Sequence, residues 1–553
     1  LDFPENGSVE GEDVIINFLR SDLSKLKEVA TLFVSDDIQN MNIVSSPSIQ
    51  MHASSGQDWF EVNLYSSGYT EDELRLMYDA YRKKKKFVRL HGNFVLLDDQ
   101  DESLRSLSES FTPSQLGVEL PLYQALKLPS SAESENGIIK NLIHDIESYG
   151  ELEIPYLPSQ IIEAARPYQL QGVRFLLNLY KNNLSGVLSD DMGLGKTLQS
   201  FGLFANVNEE KPILVVCPKS LIYNWMEEKK KWYPELEAHM LIGNPKERAL
   251  VQALMKQKRK AVYFVSYDTL RNDQKKVEDI DFSLILLDEG QYISNANAKK
   301  TRAVKTLKAT SRFVLTGTPV QNSLTDLWSI FDFLLPGYFP PYSKFKELYG
   351  DLEFASEESR HRLLSKIKPF LLGRKKKEVL TELPDKENID ISLAMADEQR
   401  TVYETYLVQA RDLLEEGSAS RLKLLSFMTR LRQICITPSL FLDRTFPSIK
   451  IDYLVDSIRD LKAAGRKAIV FSSFTTALSL VEDALRQNGL TSASITGKTP
   501  ARDRVALANQ FNRQHDSFDV MLVSLKAGGT GLNLIGADTV FHLDPWWNLA
   551  AQN

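Results

Sequence analysis

The stretch "SGVLSDDMGLGKTLQS", residues 185–200, places a short apolar run directly before a loop that ends in Gly195-Lys196-Thr197. That triplet closes the phosphate-binding pattern G-x-x-x-x-G-K-[ST], but the first position, normally glycine, is Asp190. The pattern works because consecutive backbone N–H groups turn inward and the next helix offers its N-terminus. Glycine is required where the backbone bends or lies close to the phosphates. Gly193 and Gly195 meet that need, and Met192 and Leu194 supply further backbone of the loop. The first position only shapes the turn into the loop, so Asp190 is expected to be tolerated. Lys196 would then reach the β- and γ-phosphates, and Thr197 would hold Mg²⁺.

Outward from this loop, apolar runs alternate with helical patterns: "PILVVCP", "AVYFVSY", "SLILLDE" and "RFVLTGT". Each is rich in Val, Ile and Leu, the mark of strands buried on both faces of a parallel sheet. The texture returns in "KAIVFSSF", "SASITG", "FDVMLVSL" and "DTVFHLD". The fold class is therefore α/β, with two parallel-sheet domains. Residues 325–435 between them are helix-rich and charged, with no clear strand, and read as helical insertions. In an open parallel sheet, ligands bind at the carboxyl ends of the strands. Three polar motifs follow apolar runs of the first sheet: the loop at 189–197, Asp288-Glu289, and Thr316-Gly317-Thr318. Asp288 is placed to bind Mg²⁺, and Glu289 to accept the proton of an attacking water.

Residues 1–150 have a different character. "DWFEVNLYSSG" alternates large and polar side chains over 58–65, which predicts a strand. Thr70 and Glu73 form a capping box ahead of Leu74, Met77, Tyr78 and Tyr81 at helical spacing. "FVRLHGNFVLL" predicts two strands about a tight turn at His91-Gly92-Asn93. This is a small α+β domain, followed by the Pro- and Ser-bearing linkers "LKLPSSAESENG" and "IPYLPSQ".

Bulk properties narrow the class. A chain of 553 residues needs several cores. It has no run of 18 apolar residues and its first residues lack the pattern of a signal peptide, so no membrane partner is expected. Two cysteines, Cys217 and Cys435, are too few for a disulfide framework or a zinc site, and a reducing, cytosolic setting follows. The net charge of −7 argues weakly against nucleic acid, but fields are local and basic runs exist. They are "RKKKK" at 82–86, "KQKRK" at 256–260 and "RKKK" at 374–377, each taken singly a solvated face.

With "DDMGLGKT", "LLDEGQ", "VLTGTPVQNSLTDLWSIFDFLLPGYF" and "VSLKAGGTGLNLIGADTVFHLDPWWN" in this order, the chain resembles the SWI/SNF-type ATPases of helicase superfamily 2. "RPYQLQGVRFL", "VVCPKSLIYNW", "VSYDTL" and "KPFLLGRKKKEVLTELPDK" fit the family's smaller motifs, so the resemblance spans about 160–553. The N-terminal region more loosely resembles the accessory domain that precedes the motor in bacterial members. The resemblance implies an accessory domain at 1–155, a RecA-like lobe at 156–368 and a second at 369–553, each lobe with a helical insertion. It implies a DNA-stimulated ATP hydrolase using ATP and Mg²⁺ to move along double-stranded DNA without separating its strands. In "RPYQ", Arg166 and Gln169 would meet the nucleotide, Gln169 at the adenine edge. Lys196, Asp288, Glu289 and Gln291 would carry hydrolysis, Gln291 linking the nucleotide to the other lobe. Thr316 would couple nucleotide state to DNA grip, while Lys219, Ser220, Lys526 and Thr530 would lie near the DNA backbone. Gly529 would let the second lobe approach the nucleotide closely, and Trp547 would lie near the duplex unless it is a core aromatic.

Departures from the family pattern are Gly373 for Arg and Leu549 for Pro. The chain also stops at Asn553, ahead of the segment where relatives carry arginine fingers, so the natural protein is expected to continue. The alternatives are a strand-separating helicase and an ATP-gated factor acting on a DNA-bound protein complex such as RNA polymerase. The expected setting is the bacterial cytoplasm, at the nucleoid, as a monomer.

Overall fold

Alternation of side chains decides the first sheets. The computed structural model describes residues 18, 23–29, 31, 33, 43–55, 59–97, 102–128, 133–134, 138–207, 210–257, 259–317, 324–350, 357–380, 382, 386–415, 421–513, 517–528 and 532–545. Near the N-terminus, strands β1 (Ile43–Val44), β2 (Gln50–Ser55) and β3 (Trp59–Tyr65) precede helix α1 (Glu71–Arg82). Along β3 every second residue is buried: Phe60, Val62 and Leu64. Helix α1 starts where the capping box expects it, with Thr70 Oγ1 accepting the Glu73 N–H and Glu73 Oε2 accepting the Thr70 N–H. Its buried face is Leu74, Met77 and Tyr78, and the Tyr78 hydroxyl donates to the Phe111 carbonyl at 2.6 Å. Strands β4 (Phe87–Leu90) and β5 (Asn93–Leu96) pair antiparallel across His91 and Gly92. Both turn residues have positive φ, 52° and 80°, as a two-residue hairpin whose twist matches its strands requires. With β6 (Leu120–Pro121) and β7 (Glu133–Ser134), these strands form two sheets, ordered β1-β5-β4 and β6-β3-β2-β7.

The main sheet has seven strands in the order β10-β11-β9-β12-β13-β8-β14. They are β8 (Gly186–Leu188), β9 (Ile213–Cys217), β10 (Ala238–Leu241), β11 (Val262–Ser266), β12 (Asp281–Leu287), β13 (Lys308–Leu315) and β14 (Leu371–Leu372). The β10–β11, β12–β13, β13–β8 and β8–β14 pairings are all parallel. The last sheet is ordered β16-β17-β15-β18 and parallel throughout. Its strands are β15 (Ala468–Ser472), β16 (Ser492–Ile495), β17 (Val520–Ser524) and β18 (Thr539–His542). Here Val470, Val520 and Leu522 join one apolar cluster, while Ile469, Met521 and Val523 join another. Successive residues point to opposite faces, and both faces are covered.

The chain divides into two compact units. One holds residues 1–192, 202–213 and 277–374; the other holds 193–201, 214–276 and 375–553. Within the first, helix α2 (Pro167–Lys181) leads into β8, and α4 (Leu324–Leu334) and α5 (Tyr342–Tyr349) follow β13. The accessory domain docks on the α4–α5 hairpin. Tyr123 donates its hydroxyl to the Pro336 carbonyl (2.7 Å), Lys127 its ammonium to the Gly337 carbonyl (3.0 Å), and Lys344 its ammonium to the Ser108 carbonyl (2.8 Å). Burial pulls the Lys127 ammonium down to about 7, and repulsion from Lys366 adds to this. Helix α3 (Lys196–Ala205) begins at Lys196, and its residues 196–201 belong to the second unit. The insertion expected to be purely helical contributes one short strand, β14; two residues suffice because β8 already presents an open edge to pair with. Among the described residues no helix is long and apolar enough to cross a membrane.

Candidate nucleotide site

Register aligns the motifs. Leu287 pairs with Val314, and Leu315 pairs with Leu188. The chain therefore leaves β12, β13 and β8 at one carboxyl edge, where Asp288, Thr316 and the loop from Ser189 begin. Glu289 takes up φ 54° and ψ 62°, a left-handed conformation that costs a side-chain-bearing residue about 1–2 kcal/mol. Non-glycine residues are held there only when neighbours demand it. Here the Glu289 N–H donates to Asp288 Oδ1 at 2.9 Å. Gln291 Nε2 donates to Glu289 Oε2 at 2.6 Å, and Thr316 Oγ1 donates to Gln291 Oε1 at 3.3 Å. Gly290 between them has no room for a side chain, because a Cβ would come within 2.3 Å of Val314 Cγ1. Asp288, Glu289, Gln291 and Thr316 thus form one connected polar cluster.

Asp190 does more than shape the turn into the loop. It is fully buried, and Arg374 grips it with two hydrogen bonds, Nε to Oδ1 at 2.9 Å and Nη2 to Oδ2 at 2.6 Å. Arg374 Nη1 also donates to the Tyr168 carbonyl, and its guanidinium lies 5.3 Å from the Tyr168 ring centre. Backbone bonds from Ser189 N to Leu372 O (2.7 Å) and from Asp191 N to Arg374 O (3.0 Å) flank the ion pair. The start of the loop is therefore clamped to residues 372–374. Gly373 sits tightly here, since a Cβ would lie 3.2 Å from the Ser189 carbonyl. Arg374 opens a run that charge pattern alone marks as a solvated face, and this residue corrects that reading. The signal that could have found it is the acidic residue standing at a position where the phosphate pattern wants glycine.

Within the second unit, Gly193 and Gly195 adopt φ of 86° and 79°. Such angles let the backbone curl with its N–H groups inward, at positions where a side chain would be strained. Leu194 between them is fully buried and anchors the loop, and its carbonyl accepts from Gln199 Nε2 at 3.4 Å. Met192 is half exposed. Lys376 lies beside Gly193, its Nζ 3.5 Å from where a Cβ would stand. The glycine cradle followed by a helix starting at Lys196 fits a polyphosphate. Lys196 and Thr197 are the residues that would hold it.

The remaining expected residues are dispersed. Arg166 precedes α2, and Gln169, buried, accepts the Arg166 N–H on Oε1 at 2.9 Å. That bond engages the carboxamide oxygen in capping the helix. Lys219 and Ser220 form the turn Lys219–Leu221 that follows β9, and Lys526 lies on the short helix Leu525–Gly528 that follows β17. Gly529, Thr530 and Trp547 lie outside the described residues.

Three known families match the chain in succession: the bacterial SNF2 helicase associated family over 2–156, the SNF2-related domain over 168–440, and the helicase conserved C-terminal domain over 449–553. The chain belongs to the SNF2-related family. An ATP-dependent helicase of Mycoplasma genitalium is 33% identical over 406 residues, covering 72% of this chain and 38% of that protein. A probable ATP-dependent DNA helicase of Arabidopsis thaliana is 33% identical over 409 residues, 69% of this chain and 37% of its own length. The chain thus spans less than two fifths of these SNF2-related relatives. The Sulfolobus solfataricus SWI2/SNF2 ATPase core in complex with double-stranded DNA is 28% identical, with a TM-score of 0.41 over 72% of this chain and 84% of that one.

Proposed function

We propose that this SNF2-related chain hydrolyses ATP and uses the energy to move along double-stranded DNA. The observation that carries the reading is the cluster Thr316–Gln291–Glu289, which joins a carboxylate fit to act as general base to the strand end expected to sense DNA. Held in a left-handed turn, Glu289 is fixed in position before any substrate arrives. It would take the proton of the attacking water, with Gln291 orienting its carboxylate. Lys196 and Thr197 would hold the phosphates, and Gln169 the base. Mg²⁺, on Thr197 and Asp288, would supply neutralisation of charge on the phosphates. Lys219, Ser220, Lys526, Thr530 and Trp547 would grip the duplex, largely through phosphates, which implies tolerance of sequence and steep salt dependence. DNA as the track also agrees with the Arabidopsis relative, a probable ATP-dependent DNA helicase.

The test is ATP turnover with and without duplex DNA, on this chain and on a version extended past Asn553. Glu289→Gln should bind ATP and DNA and lose turnover by about 10² or more, the scale of a lost general base. Turnover that DNA does not stimulate would reject the motor. Displacement of a strand from a forked duplex would favour the strand-separating alternative.

A further inference from the structure

A cavity lies at the end of β8 and β13 opposite the candidate nucleotide site. It has a volume of about 250 Å³, and its walls include Tyr123 of the accessory domain, Asn182, Ser185, Thr310, Arg312 and Pro336. Arg312 sits on β13, just before Phe313, which pairs with Gly186, the first residue of β8. The phosphate loop leaves from the opposite end of β8. The cavity is therefore separate from the nucleotide site, and the accessory domain forms part of its wall.

The electrostatics of this place are unbalanced. Arg312 pairs with no carboxylate among the described residues. Its Nη2 donates to the Leu307 carbonyl at 3.0 Å and its guanidinium lies 5.8 Å from the Phe333 ring, but Nε is buried with no partner. Burial disfavours its charge. A largely buried guanidinium with no carboxylate partner is costly, and an anion in the cavity it lines would offset that cost. Lys127, at the same junction of accessory domain and motor, also lacks a carboxylate among the described residues and feels repulsion from Lys366. Ser185 adds a hydroxyl whose oxygen already accepts the Arg312 N–H at 3.0 Å, leaving its proton to give.

We propose that this cavity binds a small oxyanion, a phosphate or carboxylate compound, with Arg312 as its main anchor and Ser185 as a second donor. A space of about 250 Å³ holds several water molecules and admits a compact di- or triacid. Because one wall belongs to the accessory domain and the rest to the motor sheet, a ligand here would strengthen the hold of one on the other.

The test is calorimetric titration of the full chain carrying Lys196→Ala, which silences the phosphate loop, with inorganic pyrophosphate and, separately, citrate. One of the two should bind at a single site below about 1 mM, and Arg312→Met should weaken it about tenfold or more, the scale of one charge-assisted hydrogen bond. Tighter pyrophosphate would mark a phosphate ligand, and tighter citrate a polycarboxylate. Should Arg312→Met fail to fold, Arg312→Lys and Ser185→Ala serve, each expected to weaken binding about threefold or more. No heat with either anion up to about 10 mM, or equal affinity in the parent and the variants, would overturn the proposal.

Discussion

Replacing Arg374 by Met tests the clamp at the start of the phosphate loop. In the native chain the carboxylate of Asp190 has no solvent exposure, and the guanidinium facing it is 11% exposed. Removing the guanidinium takes away two charge-assisted bonds and leaves a buried charge behind, a change worth about 3–5 kcal/mol. The Tyr168 carbonyl loses a donor as well. For a lobe of this size each kcal/mol moves the melting point by about 2–4 °C, so a loss on the order of 10 °C is expected in the transition of the first unit. A double-mutant cycle then isolates the pair. Asp190→Leu alone should cost a similar amount, because it strands the arginine. Asp190→Leu with Arg374→Met should recover much of the loss, since an apolar pair of similar volume replaces a buried ion pair at little net cost. Calorimetry on the four proteins measures the stability, and ATP titration of each should show KM rising in the single variants. Melting unchanged within about 1 °C, or a double variant as unstable as the sum of the singles, would refute the argument.

Two further outcomes follow from the geometry. Gly290→Ala would press a methyl group into Val314, so overpacking of about 1–3 kcal/mol is expected, with a larger fall in turnover because the Glu289 turn shifts; thermal melting and ATPase rates check it. The Lys127 ammonium has its folded-state value lowered, so the docked accessory domain binds fewer protons than the free one between about pH 7 and the usual lysine range. Docking should therefore be level below about pH 7 and tighten as pH rises from about 7 to 9, and Lys127→Met should abolish this dependence; hydrogen exchange around 336–338 at about pH 7 and at about pH 9 measures it.

Much of the architecture was legible. Apolar runs at 186–188, 213–217, 262–266, 281–287 and 308–315 became strands because β-branched and aliphatic side chains suit positions buried on both faces. The Thr70–Glu73 box marked a helix start because its bonds are local. What escaped depends on partners far away in sequence. Strand β14 is two leucines with no periodicity, and Arg374 looks like its lysine neighbours until the fold brings Asp190 to it across 184 positions. The left-handed turn at Glu289 leaves no trace in residue type, since the usual marker of positive φ is glycine. Strand β10, "AHML", lacks the aliphatic density that betrayed its neighbours.

Three bonds that join the accessory domain to the α4–α5 hairpin among the described residues share one trait: each runs from a side chain to a main-chain oxygen. A carbonyl is offered by every residue type, so the accepting positions can drift through evolution without loosening the joint, provided the local path of the chain survives. Pairwise covariation between domain and motor would accordingly be faint at this seam. Constancy would fall on the donors Tyr123, Lys127 and Lys344, and accessory domains could be exchanged between relatives with little remodelling of the receiving surface.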